Sequence, residues 1–584
     1  MSAFVAVVAT TAGEASLPES CVRQLALPGA GAIRWYSVPG FSCAVAPLRT
    51  GDPGIFADGS CVVAGDVRLD DRRSLISALG GSVAGAGTVS EHLVLVVAAY
   101  SAWGEAAFGR LRGDFSVVLW DARTRTAHAV RDGLGVRPLY YSGLAGGMVA
   151  SNVINAVRAH PAVPDTLHAP AVASFLACGF NLDSTTSMFA SIARLAPGTH
   201  LTVDADVGAT RIARHWSIPD PAPIRFRRAD DYVERYRDLL GQAVADRVDP
   251  AGTMILLSGG LDSTSIAATA RRIAPDARLH ALTMREPRAE TAADMALATE
   301  VAQWLGLPHI RVEELSDTRL DAAASLPEPL VGMGMAGFQG MLAKVAPVAS
   351  VVLGGEDGDA LFHPAGLAAM LRTDSVGRTA LRILAYMIRH GRRPYMGFWL
   401  ARRLRGSQGG RLPQSPPWIR PAVRALVPAD TATVTSHRAR PEAARSLTSP
   451  LWQAVHAGAD RSYHGATVEF RWPLLDQRLI EFVFAIPSIP WCQQKYLVRR
   501  AFAADLPPAV VARPKTPARG YLATVVRGWQ ELTGASLPQL DSRTLEYVDP
   551  VGLGAALRSP DLDAVIAGWR ALALDQWVRR AECP

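Results

Sequence analysis

The chain has 584 residues, too many for one ordinary domain, so about two to four are expected. Hydrophobic residues make up 49% and charged residues 19%, a composition that builds cores and excludes a disordered chain. The formal net charge of +7 is mild for this length, and no Lys/Arg blocks alternate with aromatics, so nucleic acid is not an expected partner. Of the 60 basic residues only three are lysines: Lys344, Lys495 and Lys515. They follow Ala, Gln and Pro, so no Gly-Lys-Ser/Thr phosphate loop exists. The six cysteines form no CxxC, and no HExxH occurs, which argues against a structural zinc site.

The N-terminus, MSAFVAVVATTAGE, lacks a positive n-region and reads as a first β-strand. No apolar run reaches the roughly 18 residues that a membrane helix needs, and the chain is read as cytoplasmic and reduced. Up to about residue 205, short apolar runs (AFVAVVA, CVVAGDV, FSVVLWDA, THLTVDA) between Gly turns predict an antiparallel β-rich layer. Helices are predicted at 90–103 and 169–178. Pro219-Asp220-Pro221-Ala222-Pro223 marks a linker, taken as 211–229, before an amphipathic helix at 230–247. From 253 the pattern becomes strand–helix alternation. TMILL, LHALTM, HIRVEE and VASVVLGG read as strands. A helix follows the first to about 273, and another spans 290–305 with Ala293, Leu297, Val301 and Trp304 on one face. Such alternation predicts a parallel, doubly wound sheet. Between Asp374 and Asp430 there are eleven arginines and no acid, which suits either solvated helix faces or a surface for an acidic partner.

Two loops carry the chemistry. Ser258-Gly259-Gly260-Leu261-Asp262-Ser263-Thr264-Ser265 lies between a parallel strand and a helix, where open α/β sheets bind ligands. Its glycines admit a phosphate close to the backbone, and its amides, hydroxyls and helix N-terminus offer anion contacts. Asp262 makes sense among phosphate ligands if it holds Mg²⁺. The string resembles the PP-loop of ATP pyrophosphatases, which cleave ATP between the α and β phosphates. A second loop, Gly354-Gly355-Glu356-Asp357-Gly358-Asp359, follows another strand, so Asp359 is expected beside Asp262 as a second metal ligand. Gly332-Met333-Gly334-Met335-Ala336-Gly337 matches GxGxxG, but the preceding LPEPL is no strand, so it is read as a flexible wall of the substrate pocket.

Further on come Asp460-Arg461, then Glu469-Phe470-Arg471-Trp472-Pro473-Leu474-Leu475-Asp476. Lys495, Arg499, Leu506-Pro507-Pro508 and Arg513-Pro514-Lys515 complete the series. In this order the motifs resemble the synthetase domain of asparagine synthetases and their relatives. Leu111–Asp121 and Arg131–Tyr141 are similar to the glutaminase domain of the same family. The resemblance implies an α/β protein in two parts. The first is an N-terminal-nucleophile αββα sandwich (α+β, residues 1–210). The second is a PP-loop pyrophosphatase domain (230–584) with added helices and a variable Arg-rich region at about 375–450. It further implies ATP contacts at Leu257, Ser258, Gly259, Gly260, Asp262, Ser263, Thr264, Thr283, Met284 and Gly355. Lys515, Glu356, Asp460 and Lys495 would be catalytic, and Glu469 with Arg471 a buried structural pair.

The pattern breaks in one place. The family's nucleophilic cysteine at position two is Ser2 here, and its glutamine-holding GxxYN is replaced by Gly65-Asp66-Val67-Arg68-Leu69-Asp70-Asp71-Arg72. Without glutamine-derived ammonia, an amine of the substrate itself must attack. That implies a ring-closing relative, and GDVRLDDR, the 98–121 stretch and GGEDGDALF look more like lasso peptide cyclases than β-lactam or carbapenam synthetases. The implied partners are a core peptide substrate, a leader peptidase and a leader-binding protein, with no membrane.

Overall fold

The computed structural model describes residues 2–10, 15–48, 54–81, 83, 91–284, 292–312, 326–329, 335–397, 415–428, 437–514 and 537–580. Lys515 and much of the glycine string 332–337 lie outside them. Mixed α and β structure falls into two N-terminal six-stranded sheets and one five-stranded sheet.

The strand Ser2–Ala9 shows how the N-terminal sandwich forms. Its side chains alternate between two cores, as a period of two requires. Phe4, Ala6 and Val8 face the core between the sheets, with Phe41 and Trp120. Ala3, Val5 and Val7 face a second core under the helix Ala169–Cys178. The partner sheet repeats the device. Val62 and Ala64 point inward, while Cys61 and Val63 pack beneath the helix Glu91–Trp103. The layer order is therefore αββα, with both expected helices in place. The C-terminal helix Leu562–Arg580 joins the same outer layer: Trp569, Trp577 and Val578 are buried with Phe175 and Leu176. Residues 537–580 thus pack on the N-terminal sandwich although they follow the parallel sheet in the chain. The expected linker also starts late, because Thr210–Arg214 pairs with Thr199–Asp204 as an edge strand of the sandwich.

The second unit is a parallel sheet of His309–Val312, Leu279–Met284, Thr253–Leu256, Val351–Leu353 and Glu469–Arg471, in that spatial order. The near-continuous apolar runs of the central strands suit a sheet covered on both faces. The chain leaves Thr253–Leu256 toward one edge and returns on its other side at Val351–Leu353. The switch point therefore lies between these two strands, and there the crevice opens. The fifth strand was not predicted. Its charged residues hide it, and they are tolerated because Arg471 pairs with Glu469 at 2.7 Å and Arg137 with Glu469 at 2.6 Å. Trp304, expected on a buried helix face, is 57% exposed in the last turn of Ala292–Trp304; Ala298, Val301 and Ala302 form the packed face.

Candidate active site

The loop after Thr253–Leu256 is shaped by its own hydroxyls. The amide of Ser258 donates to Ser263 Oγ (3.1 Å), and the two serine hydroxyls meet at 3.0 Å. Gly259 has φ +69°, and a Cβ there would stand 2.8 Å from the Asp294 carbonyl, so only glycine fits. Gly260 precedes the helix Leu261–Ile273, whose first turn carries Asp262 and Ser263. The hydroxyls of Thr264 and Thr283, expected among the ATP contacts, turn inward. Thr264 Oγ1 donates to the Gly260 carbonyl at 2.8 Å, and Thr283 Oγ1 donates to the Leu257 carbonyl at 2.8 Å. Both residues brace the loop from behind. Leu257 is buried, whereas Ser258 and Met284 are exposed on the crevice edge.

The second loop closes against the first. A Cβ on Gly355 would lie 3.0 Å from the Ser263 amide nitrogen, and one on Gly358 would lie 2.5 Å from both Asp262 carboxylate oxygens. The glycines of GGEDGD thus let two backbones meet. Asp262 and Asp359 converge as expected, and the group between them is Lys495: its Nζ pairs with Asp262 and, at 2.6 Å, with Asp359 Oδ1. One cation therefore bridges the two carboxylates, and their donor set suits a divalent metal equally well. Lys495 and the preceding Gln494 both adopt left-handed backbone (φ +57° and +49°), a conformation unfavourable for side-chain-bearing residues. Two adjacent outliers at this spot mark a backbone bent to deliver one ammonium group.

Glu356 is exposed at the start of the second loop. Desolvation pushes its carboxyl up to about 7. Asp460, the other base candidate, is buried, and its Oδ1 caps the next turn, accepting from the Ser462 amide (2.9 Å) and hydroxyl (2.7 Å). The neighbouring Arg461 reaches the N-terminal sandwich at the Pro28 carbonyl (2.9 Å). The RxK segment approaches the first loop at Arg513, which donates to the Gly259 carbonyl (3.2 Å) and pairs with Asp294. Arg499 holds this segment by the Arg513 carbonyl (2.7 Å). Sequence reasoning gave neither arginine a role; their place beside a lysine motif was the available signal.

The departures from the glutaminase pattern have a structural destination. Ser2 is fully buried in its strand, and its Oγ has no hydrogen-bond partner among the described residues. The replacement string supplies Asp66, Arg68 and Asp70 to a buried ionic seam between the two units. Asp66 pairs with Arg137 (3.3 Å), and Arg68 with Asp114 (2.6 Å) and Asp70. From the other side, Arg247 reaches Asp70 (2.8 Å) and Asp476 (3.0 Å). Asp70, Asp246 and Asp476 lie close enough to suggest a metal, but Arg68, Arg247 and Arg478 already compensate them. Against the opposing effect of burial, Arg471 and Arg137 hold the Glu469 carboxyl well below its ordinary value.

An αββα sandwich joined to a parallel sheet, with the 258–265 loop at the switch point of that sheet, defines a two-part architecture. Residues 235–579 match the asparagine synthase family and residues 87–216 a glutamine amidotransferase domain. The chain belongs to the asparagine synthase family. It is 27% identical over 272 residues to the glutamine-hydrolyzing asparagine synthetase 2 of Bacillus subtilis, covering 44% of this chain and 35% of that protein. It is 27% identical over 262 residues to the amidase chyE of Penicillium rubens, covering 41% and 38%. The chain thus spans about a third of the length of these curated relatives. Among solved structures, an NH3-dependent NAD synthetase from Campylobacter jejuni aligns at 21% identity over 23% of this chain and 60% of that one, with a TM-score of only 0.18. No helix among the described residues is long and apolar enough to cross a membrane.

Proposed function

We propose that the chain is an ATP-dependent, amide-forming lasso peptide cyclase acting in the cytoplasm. An Asp or Glu side chain of a leaderless core peptide attacks the α-phosphorus of ATP, and pyrophosphate leaves. The peptide's N-terminal amine then attacks the acyl carbon of the adenylate, loses a proton and expels AMP, leaving an isopeptide macrolactam. The observation that carries this reading is the fate of the glutaminase site. Ser2 Oγ is sealed inside a strand, and Asp66, Arg68 and Asp70 are committed to ion pairs. This supports an amine carried by the substrate over ammonia taken from glutamine.

The cleft residues suit the two steps. Asp262 and Asp359 would hold Mg²⁺, which when bound draws charge from the β and γ phosphates. Ser258, Ser263 and the Gly259–Gly260 backbone would receive the phosphate oxygens. Glu356, with a carboxyl titrating at about 7, is matched to an α-amine of pKa about 7.7–8.0 and takes its proton. Lys515, two residues past the Arg513–Gly259 contact, would face the negative charge on phosphorus and then on carbon, where a fixed cation contributes about 3–4 kcal/mol. Little basicity is needed once the ends of the peptide are folded together, since aligned intramolecular partners reach effective molarities of about 10⁵ M. A leader peptidase and a leader-binding protein would supply the trimmed peptide.

The test is substrate-dependent AMP release. ATP is incubated with candidate core peptides, and in parallel with aspartate plus glutamine or ammonium. AMP and pyrophosphate should form with a peptide alone. Asparagine formation would favour an ordinary asparagine synthetase, and ring closure on a small amino acid would favour the β-lactam synthetase branch.

A further inference from the structure

The helix Val376–His390 lies in the 375–450 region that the family motifs do not cover. Ser375 Oγ caps its start by accepting from the Arg378 amide (3.4 Å), and Gly391 ends it in left-handed backbone (φ +61°). Its apolar and polar positions are well segregated, but they face the opposite way from those of an ordinary surface helix. Thr379 and Tyr386 are buried against the body, Tyr386 in a small core with Met370 and Ile489. Arg382 turns to the same side and pairs with Asp374. Outward stand Val376, Leu381, Leu384, Met387 and Ile388. Leu381, Leu384 and Ile388, at steps of three and four, form one stripe and are 66%, 51% and 77% exposed. Single exposed apolar residues are ordinary, whereas a continuous helical stripe of them marks an interaction surface.

The charge around the stripe has one sign. Arg378 pairs with Asp374 (2.7 Å), and Asp374 is the last acid before Asp430, with eleven arginines between them. Arg389, in the last turn of the helix, and Arg393, just beyond it, are exposed and have no carboxylate partner among the described residues. A second copy of the chain fits poorly here. A two-fold pair would bring the same arginines from both sides, with no acid in the patch to answer them. A lipid surface with anionic headgroups answers both features. Its negative charge is spread without pattern, as the arginines are, and its acyl region takes the stripe.

We infer that the helix Val376–His390 is an interfacial anchor that lies in the plane of an anionic lipid surface. Leu381, Leu384 and Ile388 enter the acyl boundary, and Arg389 and Arg393 meet the headgroups. The helix is too short and too charged to cross a bilayer, and its polar side stays seated on the protein. The anchor also adjoins the active site. In the turn after it, the Tyr395 amide donates to Gln493 Oε1 (2.9 Å) and Arg392 Nη1 to Gln494 Oε1 (3.5 Å), the two glutamines that precede Lys495. The inference does not depend on the cyclase reading.

The experiment is co-sedimentation of the full chain, without ATP, with two kinds of vesicle: phosphatidylcholine alone, and phosphatidylcholine with about one-third phosphatidylglycerol. The anionic vesicles should bind at least about tenfold more tightly, and about 1 M salt should remove most of the difference. Leu384→Gln with Ile388→Gln should lose at least about tenfold in binding to anionic vesicles while the melting temperature holds, since both side chains are exposed. Arg389→Gln with Arg393→Gln should lose about fivefold or more and show a weaker salt dependence; this pair decides if the first does not fold. Equal binding to both vesicles, or unchanged binding in the variants, would overturn the inference. A wild-type dimer that Leu384→Gln with Ile388→Gln splits would overturn it in favour of a second copy. Absence of any vesicle binding would overturn it and leave the stripe to a groove on another protein.

Discussion

Replacing Gly358 by alanine isolates the position of one carboxylate. The new Cβ would lie 2.5 Å from both oxygens of Asp262, about 1 Å inside ordinary van der Waals contact at 3.4–4 Å. The end of a short side chain can yield at small structural cost, so the carboxylate moves and the backbone stays. Gly358 begins the helix Gly358–Leu361, and Gly→Ala in a helix contributes up to about 1 kcal/mol of stability. Stability and activity should therefore separate. A misplacement of about 1 Å costs on the order of 10²-fold in rate, and it also breaks the pairing of Asp262 with Lys495. Peptide-dependent AMP release should fall roughly 100-fold, with weaker Mg·ATP binding, while the melting temperature holds or rises. Wild-type turnover in this variant would refute the idea that Asp262 works from its observed place. A collapse in melting temperature would refute the claim that the strain stays in the side chain.

Ser2→Ala should leave AMP release unchanged and shift stability by no more than about 1 kcal/mol, because the hydroxyl is buried without a partner among the described residues; lost activity would revive glutamine chemistry. Arg247→Met takes one of two arginine partners from each of Asp70 and Asp476, which keep Arg68 and Arg478, and denaturant melts should show a loss of about 1.5–3 kcal/mol, partly restored by adding Asp70→Asn. For Glu356, whose carboxyl is raised to about 7, activity should climb through an apparent pKa near 7, a limb absent in Glu356→Gln. The same shift has a stability sign. The contribution of the protonated group is fully present below the ordinary value of 4.5 and is lost as pH rises through about 7, so Glu356→Gln should flatten the stability profile over that range.

The order of motifs carried much of this architecture because the two phosphate-side loops sit at strand ends, and strand ends of a parallel sheet share one crevice. That logic put Asp262, Asp359 and Glu356 together; Lys495, in the turn Gln493–Lys495 between helices, was reached only through the family resemblance. It could not see that Thr264 and Thr283 face inward, since a hydroxyl's direction depends on the turn it braces. Nor could it find the Glu469–Arg471 strand, whose buried charges are paired with each other and with Arg137. The packing partner of the tail was hidden for a similar reason: its apolar residues show that Leu562–Arg580 packs, not against which unit. The GDVRLDDR string read as the loss of a glutamine site, and only three-dimensional pairing revealed it as the seam between the units.

The central claim is that one peptide supplies both the acid and the amine. Its most direct test is tandem mass spectrometry of a leaderless core peptide after incubation with this chain and Mg·ATP. The account predicts loss of one water, one AMP per product, and a crosslink between the N-terminal amine and an Asp or Glu side chain. An unmodified peptide alongside asparagine made from aspartate and ammonium would contradict it.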